Sequence, residues 1–385
     1  MELRGNKVFG SFHYVPILKA AKGEFQALRS LSPDLRSDIT PLFDVINPPF
    51  DWKIERPKCS WEVHLERVVG GIRTAWPERG SLFIDFPEME LTDRTSNGCH
   101  PLICAFGFIR EAALRVIPCM GLDRDTAFLK AVNQVTAKDK LGVCIRLKSD
   151  DLEDMGGIGA RLARLQDSLH VNVTQTDLMI DFGYLPDSAL NRSIALIFQL
   201  LEILREIVAY RTFTVTATGF PDSLSDIKVR SIGHLKRTEW ILWKTITTSR
   251  VLGRLPTFGD YGICGPDFAH VDPRKIKSTA NIRYTLSDEW LIVRGGAVRR
   301  AFGQFHDLAS ALIARPEFFG TSFSSADDWI SRCARKLEKP GSLCTWRQIG
   351  TNHHMTVVVN QMREEAMAAS REAMAVPTIQ SELGG

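Results

Sequence analysis

Short apolar runs alternate with longer amphipathic segments from residue 14 to about residue 268. The runs have the length and composition of buried strands, whereas the segments between them repeat apolar positions at helical spacing. The pattern therefore predicts eight strand–helix units. The predicted strands are YVPILK (14–19), ITPLFDV (39–45), SLFIDF (81–86), RVIPCMGL (115–122), LGVCIRLK (141–148), DLMIDFG (177–183), TFTVTATGF (212–220) and LPTFGDYGI (255–263).

Helices are predicted over residues 23–38, 61–76, 101–114, 125–139, 158–169, 191–210 and 232–248. Strands that alternate with helices indicate an α/β protein with a parallel sheet, because the chain must cross over after each strand. Eight such units favour a (β/α)8 TIM-like barrel over an open doubly wound sheet. No G-x-G-x-x-G follows the first strand, so no nicotinamide or flavin cofactor is expected.

The alternation ends after residue 270. Residues 281–296 predict a β-hairpin that turns at SDE, and two helical stretches follow it. The last motif, WRQIGTNHHMTVVV, places two adjacent histidines before a β-branched run, which indicates an extended segment. We therefore predict three parts: a barrel over 1–270, a C-terminal α+β module packed on it over 271–365, and a frayed or disordered tail over 366–385.

Composition narrows the class of protein. The 385 residues are 44% hydrophobic, enough for a large core, and the net charge of +3 is too small to favour binding to duplex nucleic acid. The eight cysteines form no C-x-x-C pair, so zinc-ribbon and thioredoxin chemistry are not supported. The chain begins without a signal-peptide pattern and contains no uninterrupted apolar run of membrane-spanning length. A cytoplasmic protein with reduced thiols and no membrane partner is expected.

Charged residues follow the apolar run at the end of several predicted strands. The carboxyl ends of all strands in a parallel barrel lie at one rim, and that rim carries the active site of barrel enzymes. These charges are either structural ion pairs or a binding and catalytic site. The set is Lys19, Asp44, Asp85, Arg146, Asp181 and Asp260. With two cations and four aspartates, its formal charge is −2.

The excess of carboxylates suggests a divalent cation, Mg²⁺ or Mn²⁺, held by Asp44, Asp85 and Asp181. Arg146 and Lys19 would then hold a phosphate, which predicts metal-assisted hydrolysis of a phosphorylated or nucleotide-like small molecule. A Schiff base on Lys19 ranks lower, because neighbouring acids would raise its pKa. The alternative is a non-enzymatic barrel that binds a ligand or a protein.

Five motifs resemble the phage beta-protein family, a group of phage, prophage and bacterial proteins. They are YVPILKAAKGEFQAL, ITPLFDV, FGDYG, IRYT…WLIVRGG and WRQIGTNHH. The resemblance spans nearly the whole barrel and the module. It implies a cytoplasmic protein linked to phage–host conflict, with a protein partner encoded nearby, but it supplies no reaction. The residues in matching motifs are Lys19, Asp44, Asp260, Tyr261, Arg283, Arg294, Asn352 and His353.

The resemblance adds module residues to the candidate site. If the module caps the rim, Arg294 would complete the pocket and His353 would act as general acid or base. Asp44 stands where the family is expected to carry glutamate, which shortens the acid by one methylene. The predicted catalytic groups are Lys19, Asp85, Asp181 and His353, and the predicted substrate-binding groups are Arg146, Asp260, Tyr261, Arg294 and Asn352.

Overall fold

Eight parallel strands close into a barrel in the computed structural model, which describes residues 10–77, 80–249, 254–267, 272, 275 and 278–375. All eight predicted strands take part. In chain order the strands are β1 (Tyr14–Lys19), β2 (Leu42–Asp44), β3 (Phe50–Asp51), β4 (Arg56–Pro57), β5 (Leu82–Asp85), β6 (Val116–Met120), β7 (Val143–Lys148), β8 (Thr176–Tyr184), β9 (Thr212–Thr218), β10 (Ser231–Lys236), β11 (Thr257–Asp260), β12 (Thr279–Thr285) and β13 (Glu289–Ala297).

The barrel strands follow the order β1, β11, β9, β8, β7, β6, β5 and β2, which returns to β1. Their register puts Ile17 beside Leu42 and Leu42 beside Phe83, and these side chains form part of the core inside the barrel. Side chains two positions further along a strand point the same way. The next layer towards the carboxyl ends is therefore Lys19, Asp44 and Asp85, which the register also places side by side.

Most of the helices surround the barrel, whereas α9 and α10 lie in the C-terminal module. In chain order the helices are α1 (Lys22–Arg29), α2 (Pro33–Arg36), α3 (Trp61–Ala75), α4 (Pro101–Glu111), α5 (Thr126–Asp139), α6 (Ile158–Leu169), α7 (Leu190–Ile203), α8 (Thr238–Thr248), α9 (Gln304–Ile313), α10 (Ser325–Ala334) and α11 (Leu343–Ala375). Three predicted helices differ from the structure. The helix expected to reach residue 210 ends at Ile203, and a 3-10 turn over Arg205–Ala209 follows it. The helix expected from residue 232 begins at Thr238. The helix expected over residues 23–38 is divided into α1 and α2.

The second correction has a structural cause. Residues Ser231–Lys236 form β10, which pairs antiparallel with β13 in a second sheet of order β10–β13–β12. β12 and β13 are the predicted hairpin. The sheet therefore combines a strand from the barrel half of the chain with two strands from the module, and α9 and α10 pack with it around a separate core.

The segment WRQIGTNHHMTVVV is helical, so its predicted extended conformation is wrong. It lies in α11, and both of its histidines are fully buried. The start of this helix packs in the core of the module through Trp346 and Ile349. Further along, Met355 and Val358 enter the main core of the barrel. α11 is thus the helix that follows the eighth barrel strand, β11, and the module is inserted between them. Residues 376–385 of the predicted tail lie outside the described residues.

Candidate functional site

Arg146 is the centre of a buried polar network at the carboxyl ends of the strands. Its Nη1 donates to Asp44 Oδ1 and to Asp85 Oδ2, both at 2.8 Å, and its Nε donates to Asp181 Oδ2 at 2.8 Å. Its Nη2 donates to the Tyr261 hydroxyl at 2.9 Å. All five side chains are at most 7% exposed. The structure therefore brings together five of the predicted site residues, with the arginine between the acids.

Further donors saturate two of these carboxylates. Asp85 Oδ1 accepts from Arg124 Nη2 at 2.9 Å and from its neighbouring backbone amide at 2.7 Å. Asp181 accepts from the Thr216 hydroxyl at 2.9 Å and from the Tyr261 hydroxyl at 2.6 Å. Arg124 follows β6 in a loop whose sequence gives no sign of this role. With two arginines and three aspartates, the network carries a formal charge of −1.

Asp44 is the carboxylate of the network whose pKa is raised. Burial and the neighbouring charge of Asp85 raise the pKa of Asp44 to about 6, although Arg146 opposes the shift. Asp85 behaves in the opposite way: burial alone would raise its pKa, but Arg124 and Arg146 together hold it below the usual range. Protonation of Asp44 would make the network neutral overall.

This arrangement does not fit the predicted divalent cation. The oxygens of Asp44, Asp85 and Asp181 that face inwards accept hydrogen bonds from Arg146, so a metal ion between them would lie against a guanidinium group. Elsewhere in the described part of the chain, no group of three or more His, Cys, Asp or Glu side chains is placed to hold a metal.

Asp260 belongs to a second buried network, which joins the barrel to α11. Its Oδ1 accepts from the Tyr14 hydroxyl at 2.6 Å, and its Oδ2 lies 2.8 Å from His354 Nε2. The other ring nitrogen of His354 lies 2.9 Å from Thr285 Oγ1. Burial lowers the pKa of His354, although Asp260 opposes the shift. The histidine that meets a rim residue is therefore His354, not the predicted His353.

His353 lies inside the module. Its Nδ1 is 2.9 Å from Asp327 Oδ2, and its Nε2 is 2.9 Å from the Thr285 carbonyl oxygen. Its ring stacks on Tyr284 with centroids 3.9 Å apart, and Tyr284 also donates to Asp327. Both ring nitrogens are thus engaged within the module, which gives His353 a structural environment. Its role as general acid or base stays a prediction.

The other two predicted module residues also make structural contacts. Asn352 donates to the Ala27 carbonyl at 3.1 Å and accepts from the Ser325 hydroxyl at 3.0 Å, so it ties α11 to α1 and α10. Arg294 donates to carbonyl oxygens of the loop over residues 224–227. The structure therefore places both residues away from the Arg146 network, each between segments that it holds together.

A buried ion pair lies next to the second network. Arg237 Nε is 3.3 Å from Glu239 Oε1, and the amide of Gly219 donates to Glu239 Oε2 at 2.9 Å. A Cβ on Gly219 would lie only 2.5 Å from the Lys236 carbonyl oxygen, so this approach requires glycine. Burial raises the pKa of Glu239 to about 7 despite the attraction of Arg237.

This shift predicts a pH dependence of stability. The folded-state pKa of Glu239 lies above the value of about 4.3 expected in the unfolded chain. The protonated Glu239 side chain therefore contributes to the stability of the fold at low pH, and this contribution is lost as the pH rises through about 7. In Glu239→Gln, we expect the fall in unfolding free energy between pH 5 and pH 8 to be smaller by about 2–3 kcal/mol. Urea denaturation at four pH values measures this, and Glu66→Gln, exposed on α3, should leave the slope unchanged.

A cleft of about 1550 Å³ opens at the carboxyl ends of the barrel strands, the end at which the Arg146 network lies. One wall is the β3–β4 hairpin, where Phe50 and Trp52 meet edge to face with centroids 4.9 Å apart. The Phe50 ring lines the cleft and is 39% exposed. The base of the cleft is its polar part, which is lined by Lys19, Cys264, Arg283 and Arg347, together with Asp222 and Asp267.

Lys19 and Arg347 line this base with different partners. Lys19 Nζ donates to the Asp267 carbonyl oxygen at 2.5 Å. Burial lowers the pKa of Lys19 and outweighs the raising effect of Glu24 and Asp44, so the expected net rise is wrong. Arg347 Nη1 lies 3.0 Å from Glu24 Oε1 and 2.9 Å from Cys264 Sγ. Neither Arg347 nor Cys264 is among the site residues predicted from the sequence, although Arg347 lies in the WRQIG motif.

Arg283 differs from Arg347, which pairs with Glu24, because its hydrogen bonds go to uncharged groups. Its Nη1 donates to the Ile263 carbonyl at 2.6 Å, and its Nε donates to Asn281 Oδ1 at 3.1 Å. Its guanidinium lies 4.6 Å from the centroid of the Phe220 ring. Burial lowers the pKa of Arg283 to about 10. A guanidinium in such surroundings would be stabilised by a bound anion.

None of the helices in the described residues carries an apolar stretch long enough to cross a bilayer.

Comparison with known proteins gives one match, to a protein family. No curated protein matches the chain. Residues 14–360, from β1 to within α11, match the family described as Beta protein. Because this match covers most of the 385 residues, the chain belongs to the Beta protein family.

Proposed function

We propose that the protein binds a phosphorylated, nucleotide-like small molecule in the cleft at the mouth of the barrel. The observation that carries the proposal is Arg283, a cation at the base of the cleft whose contacts are with neutral groups. Lys19 and Arg347 lie beside it. Guanidinium groups favour phosphate and carboxylate because their donors match two oxygens at once.

The aromatic wall supports a nucleotide-like ligand rather than a simple anion. Phe50 and Trp52 stand on a short hairpin at the side of the cleft, and Trp61 lines it at the start of α3. Aromatic side chains stack on bases of any sequence, which contributes about 1–3 kcal/mol per base. A phosphate at the base and an aromatic ring on the wall would use both features together. The volume of about 1550 Å³ leaves room for such a molecule.

The buried Arg146 network serves this site as a support. Asp44 and Asp85 of the network lie in the same layer of side chains as Lys19, and Asp44 and Tyr261 border a narrow space that Lys19 and Cys264 also line. Since its carboxylates are occupied by arginines, the network supplies rigidity and negative charge beside Lys19. Ligand binding is therefore the activity that the geometry supports best.

Titration with nucleotides tests the proposal. The fluorescence of Trp52 and Trp61 should change on addition of adenosine or guanosine mono- and triphosphates. Arg283→Gln is expected to weaken binding about tenfold to a hundredfold, since a hydrogen bond to a charged group contributes about 1.5–3 kcal/mol. Phosphate release in the same samples, with and without Mg²⁺ or Mn²⁺, tests the predicted hydrolysis.

Lys58→Gln is the matched control. Lys58 lines the outer part of the same cleft and is exposed, so its loss should change affinity less than threefold. Equal losses for the two variants would mean that nucleotides are attracted only by the general charge of the cleft. Wild-type protein that binds none of these nucleotides at millimolar concentration would overturn the proposal.

A further inference from the structure

We propose that the groove between α1 and α3 is a docking site for an acidic amphipathic helix of a partner protein. The groove has a volume of about 540 Å³ and shares no lining residue with the cleft of the proposed nucleotide site. The inference therefore concerns a second surface of the molecule and does not depend on nucleotide binding.

Each of the two helices turns one stripe of residues to the groove. On α1 the stripe is Lys22, Phe25, Gln26 and Arg29, and on α3 it recurs every three or four residues from His64 to Ala75. This spacing places side chains on one face of a helix. Between the stripes the groove is lined by small or apolar residues, which are Ala20, Ala21, Val68, Gly70, Gly71 and Ala75.

The charged residues that line the groove are all cations. Lys22, Arg29 and Arg67 are exposed, and no acidic side chain of the described residues lines the groove with them. Lys22 and Arg29 are seven residues apart in α1, which is about 10 Å along the helix axis. The positive charge is thus spread along the groove and on both of its sides.

The acids of the same segments are directed elsewhere. Glu24 of α1 pairs with Arg347 at 3.0 Å. Asp34 and Asp38, which follow α1, both pair with Arg363 at 2.7 Å. The two glutamates of α3, at positions 62 and 66, lie outside the stripe that lines the groove. An acidic partner would therefore meet cations that the acids of these segments do not pair with.

Gly70 provides an independent observation. Glycine inside a helix destabilises it relative to alanine. Packing accounts for the neighbouring Gly71, because a Cβ there would lie 2.4 Å from Phe25 Cε2. A Cβ on Gly70 would meet no atom within 4 Å, so nothing in the described part of the chain requires glycine at this position. Bare backbone at the edge of the groove allows a second helix to approach closely.

These features together match a helix with an apolar stripe and acids on both sides of it. The apolar stripe would enter the groove, and the acids would face the cations along its two sides. The carboxylate of a small amphiphile would meet one of these cations, not the series. A membrane surface is flat and would not fill a groove whose apolar residues lie between two helices.

Two synthetic helical peptides test the inference by fluorescence anisotropy. Both have the same length and the same leucine stripe, but one carries glutamate on both sides of the stripe and the other carries lysine. We expect the acidic peptide to bind at least tenfold more tightly in 50 mM NaCl, with a smaller difference in 500 mM NaCl. Arg29→Gln and Arg67→Gln should each weaken its binding about threefold, whereas Arg73→Gln, exposed on α3 outside the stripe, should not.

The glycine supplies a variant that should not impair folding. Gly70→Ala is expected to weaken the acidic peptide about tenfold without lowering the melting temperature, since alanine favours the helix. Gly107→Ala in α4 is the matched control, because a Cβ on Gly107 also meets no atom within 4 Å. It should leave binding unchanged, as should Arg283→Gln in the cleft, so this inference and the proposed function fail separately.

Several results would overturn the inference. They are equal affinities for the two peptides, no binding of the acidic peptide at 1 mM, equal losses in Arg67→Gln and Arg73→Gln, or wild-type affinity in Gly70→Ala. Vesicles that contain phosphatidylserine are tested in parallel. If they bind through Arg67 while the acidic peptide does not bind, the groove side of the molecule contacts a membrane, not a protein helix.

Discussion

Replacement of Arg146 by methionine is expected to lower the free energy of unfolding by about 4 kcal/mol at pH 7.5. Arg146 bonds to Asp44, Asp85 and Asp181, all of which are at most 4% exposed. Without the guanidinium, these acids remain buried with one main partner removed, and such losses cost about 3–5 kcal/mol. Urea denaturation followed by circular dichroism measures the difference. The loss should be smaller at pH 5, because Asp44, whose pKa is raised to about 6, is then mostly protonated and needs no cationic partner.

Lys148→Met provides the control on the same strand. Lys148 lies two residues after Arg146 in β7 and pairs with Asp123 at 3.0 Å, but both partners are about half exposed. Exposed pairs of this kind contribute at most about 1 kcal/mol. If Arg146→Met were no more damaging than Lys148→Met, the buried network would not stabilise the barrel, and a role for its carboxylates in chemistry would regain weight.

The barrel was predictable because its strands carry their own signal. The predicted strands are short, mainly apolar runs, and in five of them a charge follows the apolar run directly, as in GVCIR before Leu147. Period-2 alternation then puts Arg146 above Cys144 and Asp181 above Met179, both of which lie in the core inside the barrel. Proximity of the rim charges followed from the fold class alone. Their pairing did not, since it depends on side-chain reach across the barrel.

Elements whose conformation depends on distant partners were not predictable. β10 has alternating exposure and contains Gly233, and its pairing with β13 crosses more than fifty residues. In α11, the run Thr356–Val359 favours a strand by its β-branched side chains. Packing against two cores overrides this preference, because the helix buries Trp346 in the core of the module and Met355 and Val358 in the main core of the barrel.

The base of the cleft illustrates the same limit for the site. Lys19 lies beside Asp44 in the register of the barrel, which suggested an ion pair, but its amine bonds to the Asp267 carbonyl. Arg283 and Arg347 come from β12 and α11, on either side of the inserted helices. Only the placement of the module on the barrel brings them to the cleft, and no local pattern encodes that placement. Arg283 lies in one of the family motifs, but the motif does not indicate that the side chain lines the cleft.

The second large effect concerns α11. Val358→Asp is expected to lower the free energy of unfolding by more than about 4 kcal/mol and to leave little folded protein at 37 °C. Val358 is fully buried in the main core of the barrel, among side chains from both the helix and the strands. A carboxylate there would lose its hydration without gaining a partner, which is among the most costly substitutions known in cores.

Met367→Asp on the same helix separates burial from effects on the helix itself. Met367 is 54% exposed, so the same aspartate there should cost less than about 1 kcal/mol. Because α11 packs in both cores, Val358→Asp should destabilise the barrel and the module together in one transition. Limited proteolysis with mass spectrometry would report this as simultaneous cleavage in both parts. If the barrel of Val358→Asp resisted protease as wild type does, α11 would belong to the module alone, and the description of the module as an insertion before the last barrel helix would be wrong.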